Sequence, residues 1–150
     1  MMDEILVSFT EATRDVFKLM LDLDAKSEIH CITEGTCEQL NIAVGITGDI
    51  QGEIQYWFPK ETVFEIVKIM SGMETIEIDD FVKSAIGEVA NIISGNAMNN
   101  LYERNFLCDI KPPEVNFIIP PVYCQGADRT MVVTDIGMFN LDLIKKTVKF

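Results

Sequence analysis

The chain has 150 residues, of which 48% are hydrophobic and 24% are charged, as in ordinary soluble globular domains. A chain of this length can bury a core without disulfides or metal, so we expect one domain over residues 1–150. Its 24 acidic and 12 basic residues give a net charge of −12. This charge repels phosphate backbones and anionic lipid, which argues against binding to nucleic acid or to a membrane surface.

The cysteines and the single histidine give no pattern typical of a metal site. Cys31, Cys37, Cys108 and Cys124 form no CxxC pair, and His30 has no companion histidine. We interpret the thiols as reduced side chains of a cytoplasmic protein. The acidic N-terminus lacks the basic start and apolar stretch of a secretory signal, and no run approaches the roughly 20 apolar residues that span a bilayer.

Hydrophobic periodicity predicts three helices and several short strands. Apolar residues recur at helical spacing over residues 3–23, 60–73 and 79–104. Alternating runs over residues 40–46 and 53–58 predict a β-hairpin, with Gly48 and Gly52 supplying positive φ angles in its turn. Prolines on both sides of residues 114–119 indicate an edge strand or an irregular extension rather than a central strand, and residues 130–134 and 137–143 predict two more strands.

The order of these elements indicates an α+β fold. Hairpin connections replace the strict βαβ alternation that a parallel sheet requires. We therefore expect an antiparallel sheet against which the long helix, residues 79–104, and the two further helices pack.

The long helix carries a polar stripe. Ser84, Glu88, Asn91 and Gly95 follow one another at spacings of four, three and four, which places them on one helix face. Gly95 costs roughly 1 kcal/mol of helix stability relative to alanine, and close approach of a partner surface is one compensation. Such stripes are nevertheless common on solvated helices, so the residues alone favour an ordinary surface or close helix packing.

A resemblance reverses that preference. Residues 84–97, with Ser84, Glu88, Asn91 and Pro113 at 22 positions after Asn91, resemble the signature of the CheC/CheX/FliY family of CheY-P phosphatases. Pro112 precedes Pro113, so the register of this proline stays open. The similarity extends over residues 40–146. Because only one copy of the motif is present in about 150 residues, the chain is most similar to the CheX branch.

The resemblance implies an activity and assigns roles. The chain would be a hydrolase that dephosphorylates a phosphorylated CheY-type response regulator in chemotaxis. Asn91 would orient the attacking water and Glu88 would pair with the regulator's active-site lysine, while Ser84 and Gly95 would belong to the contact face. The regulator would supply Mg²⁺, so no cofactor of its own is implied. A homodimer formed through the sheet, with residues 114–119 at its edge, is also implied.

Two other functions stay open. A non-catalytic module of the same fold would bind a response regulator without hydrolysing its phosphate. A metal hydrolase using Asp79, Asp80 and Glu88 is less favoured, because these carboxylates lie on different helix faces and no histidine is near them.

Overall fold

The structure is a computed structural model that describes residues 3–28, 38–118 and 128–146. It contains three α-helices in these ranges, α1 (Glu4–Val16), α2 (Lys60–Ser71) and α3 (Asp80–Glu103). A π-helical segment, Phe17–Leu21, continues α1. The strands are β1 (Lys26–Glu28), β2 (Gln39–Gly48), β3 (Gly52–Pro59), β4 (Cys108–Ile110), β5 (Glu114–Ile118), β6 (Asp128–Thr134) and β7 (Gly137–Lys145).

The strands form one sheet in the order β1-β6-β7-β3-β2, and every pairing between described strands is antiparallel. The far edge of β2 is shared by two short strands. β4 pairs with Ile46–Gly48 and β5 pairs with Gln39–Ala43. The predicted α+β class is confirmed, and so is the prediction of an edge strand between the prolines, because β5 pairs with β2 alone among the described strands.

The hairpin between β2 and β3 forms as predicted, but only one of its two glycines has the predicted backbone. Gly48 has a φ of 109°, in the left-handed region that favours glycine. Gly52 does not have a positive φ, so that prediction was wrong. A Cβ atom at Gly52 would instead collide with the backbone carbonyl of Ile144 in β7. Glycine is needed there for the close approach of two strands.

The helices cover one face of the sheet. In β2 and β3, alternate residues such as Ile42 and Tyr56 point to this face and are fully buried. They share one hydrophobic cluster with Phe9 of α1, Ile66 of α2 and Ile86 of α3. The antiparallel hairpin thus provides the support against which α3 is positioned.

Helix ends differ slightly from the predicted ones. The first helix ends at Leu21 rather than at residue 23, because Asp22 adopts a left-handed conformation with a φ of 54°. The cap of α3 is Asp79, whose carboxylate accepts a hydrogen bond from the backbone N–H of Val82 at 2.9 Å. Cys108 is a free, partly buried thiol. The remaining cysteines and His30 lie outside the described residues.

One buried polar contact ties α3 to the sheet. The hydroxyl groups of Tyr56 in β3 and Ser94 in α3 lie 2.8 Å apart, and both side chains are fully inaccessible. Each hydroxyl satisfies the other, so neither is left as an unpaired buried polar group. Burial raises the pKa of Tyr56 well above its usual value, by more than the hydrogen bond from Ser94 lowers it.

This raised pKa predicts an alkaline loss of stability. Above about pH 10 the unfolded chain releases the Tyr56 proton that the folded chain retains, so the free energy of unfolding falls by up to about 1.4 kcal/mol per pH unit. Tyr56→Phe should remove this one-proton slope and cost about 1 kcal/mol at neutral pH. Urea unfolding at pH 8 and above pH 10 measures both effects. Tyr102→Phe, at an exposed tyrosine of α3, controls for loss of a phenol, and an unchanged slope in Tyr56→Phe would contradict the prediction.

Candidate functional site

The predicted stripe lies on the outer surface of α3. Ser84 and Glu88 are exposed, and Asn91 and Gly95 are partly buried. Within the described residues, the side chains of Ser84, Glu88 and Asn91 form no hydrogen bond or ion pair with the rest of the chain. These polar groups therefore remain available to a partner.

A shallow groove of about 490 Å³ runs beside this stripe. Helix α3 forms one wall, and the segment that leads from Pro113 into β5 forms the other. Ser84, Glu88 and Asn91 line the first wall, and Pro113 and Val115 line the second. The structure thus places Pro113, rather than Pro112, next to the motif helix. Pro112 lines a different depression, on the opposite side of the sheet edge.

Gly87 and Gly95, both in α3, have different surroundings. A Cβ atom at Gly87 would lie 3.2 Å from Cγ2 of Val115, so glycine there permits β5 to approach α3 closely. A Cβ atom at Gly95 would meet no other atom within 4 Å. The packing of this chain therefore explains Gly87 but gives no reason for Gly95.

Contacts with α1 hold the C-terminal half of α3. The side-chain amide of Asn100 donates a hydrogen bond to the backbone carbonyl of Ser8 at 3.1 Å. Arg104 pairs with Glu11 at 3.0 Å, with both side chains roughly one-third exposed. No sequence pattern indicates a role for Asn100, because an amide that bonds to a distant backbone carbonyl leaves no local pattern. Together with Tyr56 and Ser94, these contacts fix the face that α3 presents.

Sequence patterning misplaced one side chain and missed two more. Helical spacing groups Phe81 with Val82 and Ile86 on the buried side of α3, but the side chain of Phe81 is 48% exposed. The assignment failed because periodicity does not define the width of the buried stripe near a helix end. Asp80 and Lys83 also line the groove. Asp80 lies two turns and Lys83 one turn before Gly87, so their helical spacing was the signal that could have identified them.

The carboxylates near this groove are not arranged as a metal site. Asp79 uses a carboxylate oxygen to cap α3. Within residues 3–28, 38–118 and 128–146, no three acidic, cysteine or histidine side chains lie close enough together to hold a metal ion. The geometry offers a carboxylate and a carboxamide about one turn apart, roughly 5 Å, on a face of α3 that borders an open groove. Such a face can enter a partner's shallow site.

Comparison with known proteins assigns the family. The model of the chemotaxis phosphatase CheX family matches residues 40–135, which is more than half of the chain. The chain belongs to the CheX family. The matched region contains the hairpin β2–β3, all of α3 and the proline-containing wall of the groove, so the family match covers the whole candidate site.

Individual relatives agree with the family. The CheY-P phosphatase CheX of Thermotoga maritima is 40% identical over 73 residues, which span 48% of this chain and 47% of that protein. The aligned part thus covers about half the length of this CheX relative. The crystal structure of chemotaxis protein CheX from Desulfovibrio desulfuricans superposes with a TM-score of 0.76 at 25% identity, covering 96% of this chain and 100% of that chain.

A third structure shares the fold. The CheX chain of the CheX–CheY–BeF3–Mg²⁺ complex from Borrelia burgdorferi has a TM-score of 0.73 at 23% identity, covering 98% of this chain and 100% of that chain. The long helix packed on an antiparallel sheet is therefore the CheX architecture. None of the helices described in this chain is both long enough and apolar enough to span a bilayer.

The open space at Gly95 predicts a stabilising substitution. Gly95→Ala should raise the free energy of unfolding by about 1 kcal/mol, because alanine favours a helix and its methyl group meets no neighbour. Gly87→Ala, the same change on the same helix, should gain less because its methyl group would press on Val115. Urea unfolding of both variants checks this, and a destabilised Gly95→Ala protein would contradict it.

Proposed function

We propose that this chain hydrolyses the acyl phosphate of a phosphorylated CheY-type response regulator in chemotaxis signalling. The observation that carries the proposal is that Glu88 and Asn91 lie side by side on a face of α3 that borders a groove lined by Pro113. Neither side chain forms a hydrogen bond or ion pair within the described chain. Membership of the CheX family supports it. So does the similarity to the CheX of Thermotoga maritima, which is a CheY-P phosphatase.

Asn91 orients the attacking water. A carboxamide can donate to and accept from the same water molecule, and so hold it in line with the phosphorus. The water oxygen forms a bond to phosphorus while the bond from phosphorus to the regulator's aspartate breaks. The products are inorganic phosphate and a free aspartate carboxylate. Catalysis then depends on positioning rather than on covalent chemistry in this chain.

Glu88 anchors the helix by pairing with the regulator's active-site lysine. It lies one turn before Asn91 on the same face, so both side chains can enter one shallow site together. Ser84 and Gly95 continue the contact face on either side. Because Gly95 has no side chain, the partner can approach the backbone of α3 more closely there than it could if a methyl group were present.

The regulator supplies Mg²⁺ in this proposal. The CheX–CheY–BeF3–Mg²⁺ complex from Borrelia burgdorferi contains both CheY and Mg²⁺. A metal ion held with the phosphoryl group would neutralise charge that develops on its oxygens. This chain would contribute no metal ligand and no cofactor.

Removal of the Asn91 carboxamide should abolish turnover. Asn91→Ala should slow accelerated decay of the phospho-regulator by at least about 100-fold, because positioning effects of this size follow loss of an orienting group. Binding should change much less. Decay of regulator labelled with ³²P, in the presence and absence of the protein, measures the first effect, and titration measures the second.

A matched control for this variant lies on the same helix. Asn96 is an exposed amide of α3 on a different face, so Asn96→Ala should leave decay unchanged. If Asn91→Ala dephosphorylates the regulator at the wild-type rate, the proposed mechanism is wrong. A wild-type protein that binds the regulator without accelerating decay would favour the non-catalytic binding module instead.

Loss of the Glu88 carboxylate should weaken docking as well. Glu88→Ala should lower the affinity by about 2–5 kcal/mol if its ion pair with the regulator's lysine is buried on binding. Glu103→Ala removes the same charge from the exposed C-terminal end of α3 and should change the affinity little. Titration calorimetry of both variants compares them, and equal losses would show that only the overall charge matters.

We also propose that the chain forms a homodimer through the sheet edge at β5. β5 pairs with β2 on one side, and its other side has no partner strand among the described elements. An unpaired edge can accept a strand from a second copy. Sedimentation should then give about twice the chain mass of 16.9 kDa, and a monomeric mass at micromolar concentration would contradict this arrangement.

A further inference from the structure

The exposed aromatic ring of Phe81 lies on the same helix face as the proposed catalytic pair. Phe81, Ser84 and Glu88 follow one another at spacings of three and four, so they are stacked along one side of α3. The side chain of Phe81 is 48% exposed. A phenylalanine that could contribute to the core therefore leaves about half of its surface in water beside the functional stripe.

Further apolar side chains are exposed a few residues before Phe81 in the sequence. Single exposed hydrophobic residues are normal on a soluble protein and need no explanation. Here, however, Met73 and Ile76 are 55% and 83% exposed in the link that leads into α3, only a few residues before Phe81. Clustered apolar surface next to a polar site is typical of a protein–protein contact rather than of a solvated surface.

The distances match the size of such a contact. Phe81 lies about 10 Å along the helix from Glu88 and about 15 Å from Asn91, at 1.5 Å per residue. A protein–protein interface of standard size covers about 800 Å² on each partner, equivalent to a disc with a radius of about 16 Å. Phe81 therefore falls within the area that a partner seated on Asn91 would cover.

Charge favours a response regulator, rather than a second copy of this chain, as the partner that covers Phe81. Phe81 follows Asp79 and Asp80, and Glu88 lies two turns further along. A second copy would place these carboxylates against its own equivalents, in addition to the repulsion between two chains of net charge −12. A regulator that offers a lysine to Glu88 instead supplies an opposite charge to one of these carboxylates.

We propose that Phe81 is an apolar anchor that sets the affinity of this chain for its response regulator. The inference rests on the proposed function and extends it to a second contact region. The ring is buried against an apolar surface of the regulator about 10–15 Å from the phosphorylated aspartate. Aromatic residues are enriched among the side chains that dominate binding energy, because they bury a large area at low conformational cost.

The test separates affinity from turnover. Each CheY-type regulator of the source organism is activated with beryllofluoride and Mg²⁺ and titrated with the wild type, Phe81→Ala, Phe81→Leu and Leu107→Ala. Phe81→Ala should raise Kd at least about 10-fold, and Phe81→Leu should recover most of that loss. Leu107 is 68% exposed just beyond the opposite end of α3, so Leu107→Ala should leave Kd unchanged.

Decay assays with the phosphorylated regulator complete the design. At saturating enzyme, Phe81→Ala should dephosphorylate within about twofold of the wild-type rate, whereas Asn91→Ala should be inactive at every concentration. If Phe81→Ala matches the wild type in Kd, the anchor is disproved while the phosphatase function stands. If the wild type accelerates no decay, the proposed function fails, and the Kd values still test the anchor alone. If Phe81→Ala instead converts a dimer to a monomer in sedimentation, the apolar surface belongs to a second copy and the proposal is overturned.

Discussion

The hydrogen bond between Tyr56 and Ser94 sets the rotation of α3 on the sheet. Its two hydroxyl groups are fully buried and satisfy one another, so a turn of the helix about its axis would leave both unpaired in a dry interior. Each such group costs roughly 1–3 kcal/mol. Ser94 follows Asn91 by three residues, and the side chain that meets the sheet therefore determines where the carboxamide points. A buried contact therefore determines which residues of α3 lie on its outer face.

The surroundings of α3 combine tight internal contacts with an outer face that is left open. Gly87 lets β5 approach closely, and Asn100 binds the backbone of α1. By contrast, the stripe from Ser84 to Gly95 has no side-chain partner in the described chain. A helix held firmly on one side and unoccupied on the other can present a preorganised surface, so little ordering entropy is lost when a partner binds.

Much of the fold and of the site could be predicted because the relevant signals are local. The spacing of Ser84, Glu88 and Asn91, the cap at Asp79 and the prolines around β5 all act within a few residues. What could not be predicted depends on distant parts of the chain. Gly52 is required by the carbonyl of Ile144, and the exposure of Phe81 depends on which elements happen to cover the start of α3. Helical periodicity alone also favoured an ordinary solvated surface for the stripe from Ser84 to Gly95. Only the family motif indicated that this stripe is a functional site.

The short strands at the sheet margins also bear on how the protein behaves at high concentration. One margin of the described sheet is β1, with three residues, and the other is divided between β4 and β5 by Lys111, Pro112 and Pro113. Neither proline can donate a backbone hydrogen bond, and a lysine beside them discourages close approach. A foreign strand aligned there would find at most five consecutive pairing positions before the ladder breaks. The same interruption that brings a proline to the groove therefore limits strand pairing at this margin to a short segment, which permits a closed dimer but not open-ended, amyloid-like stacking.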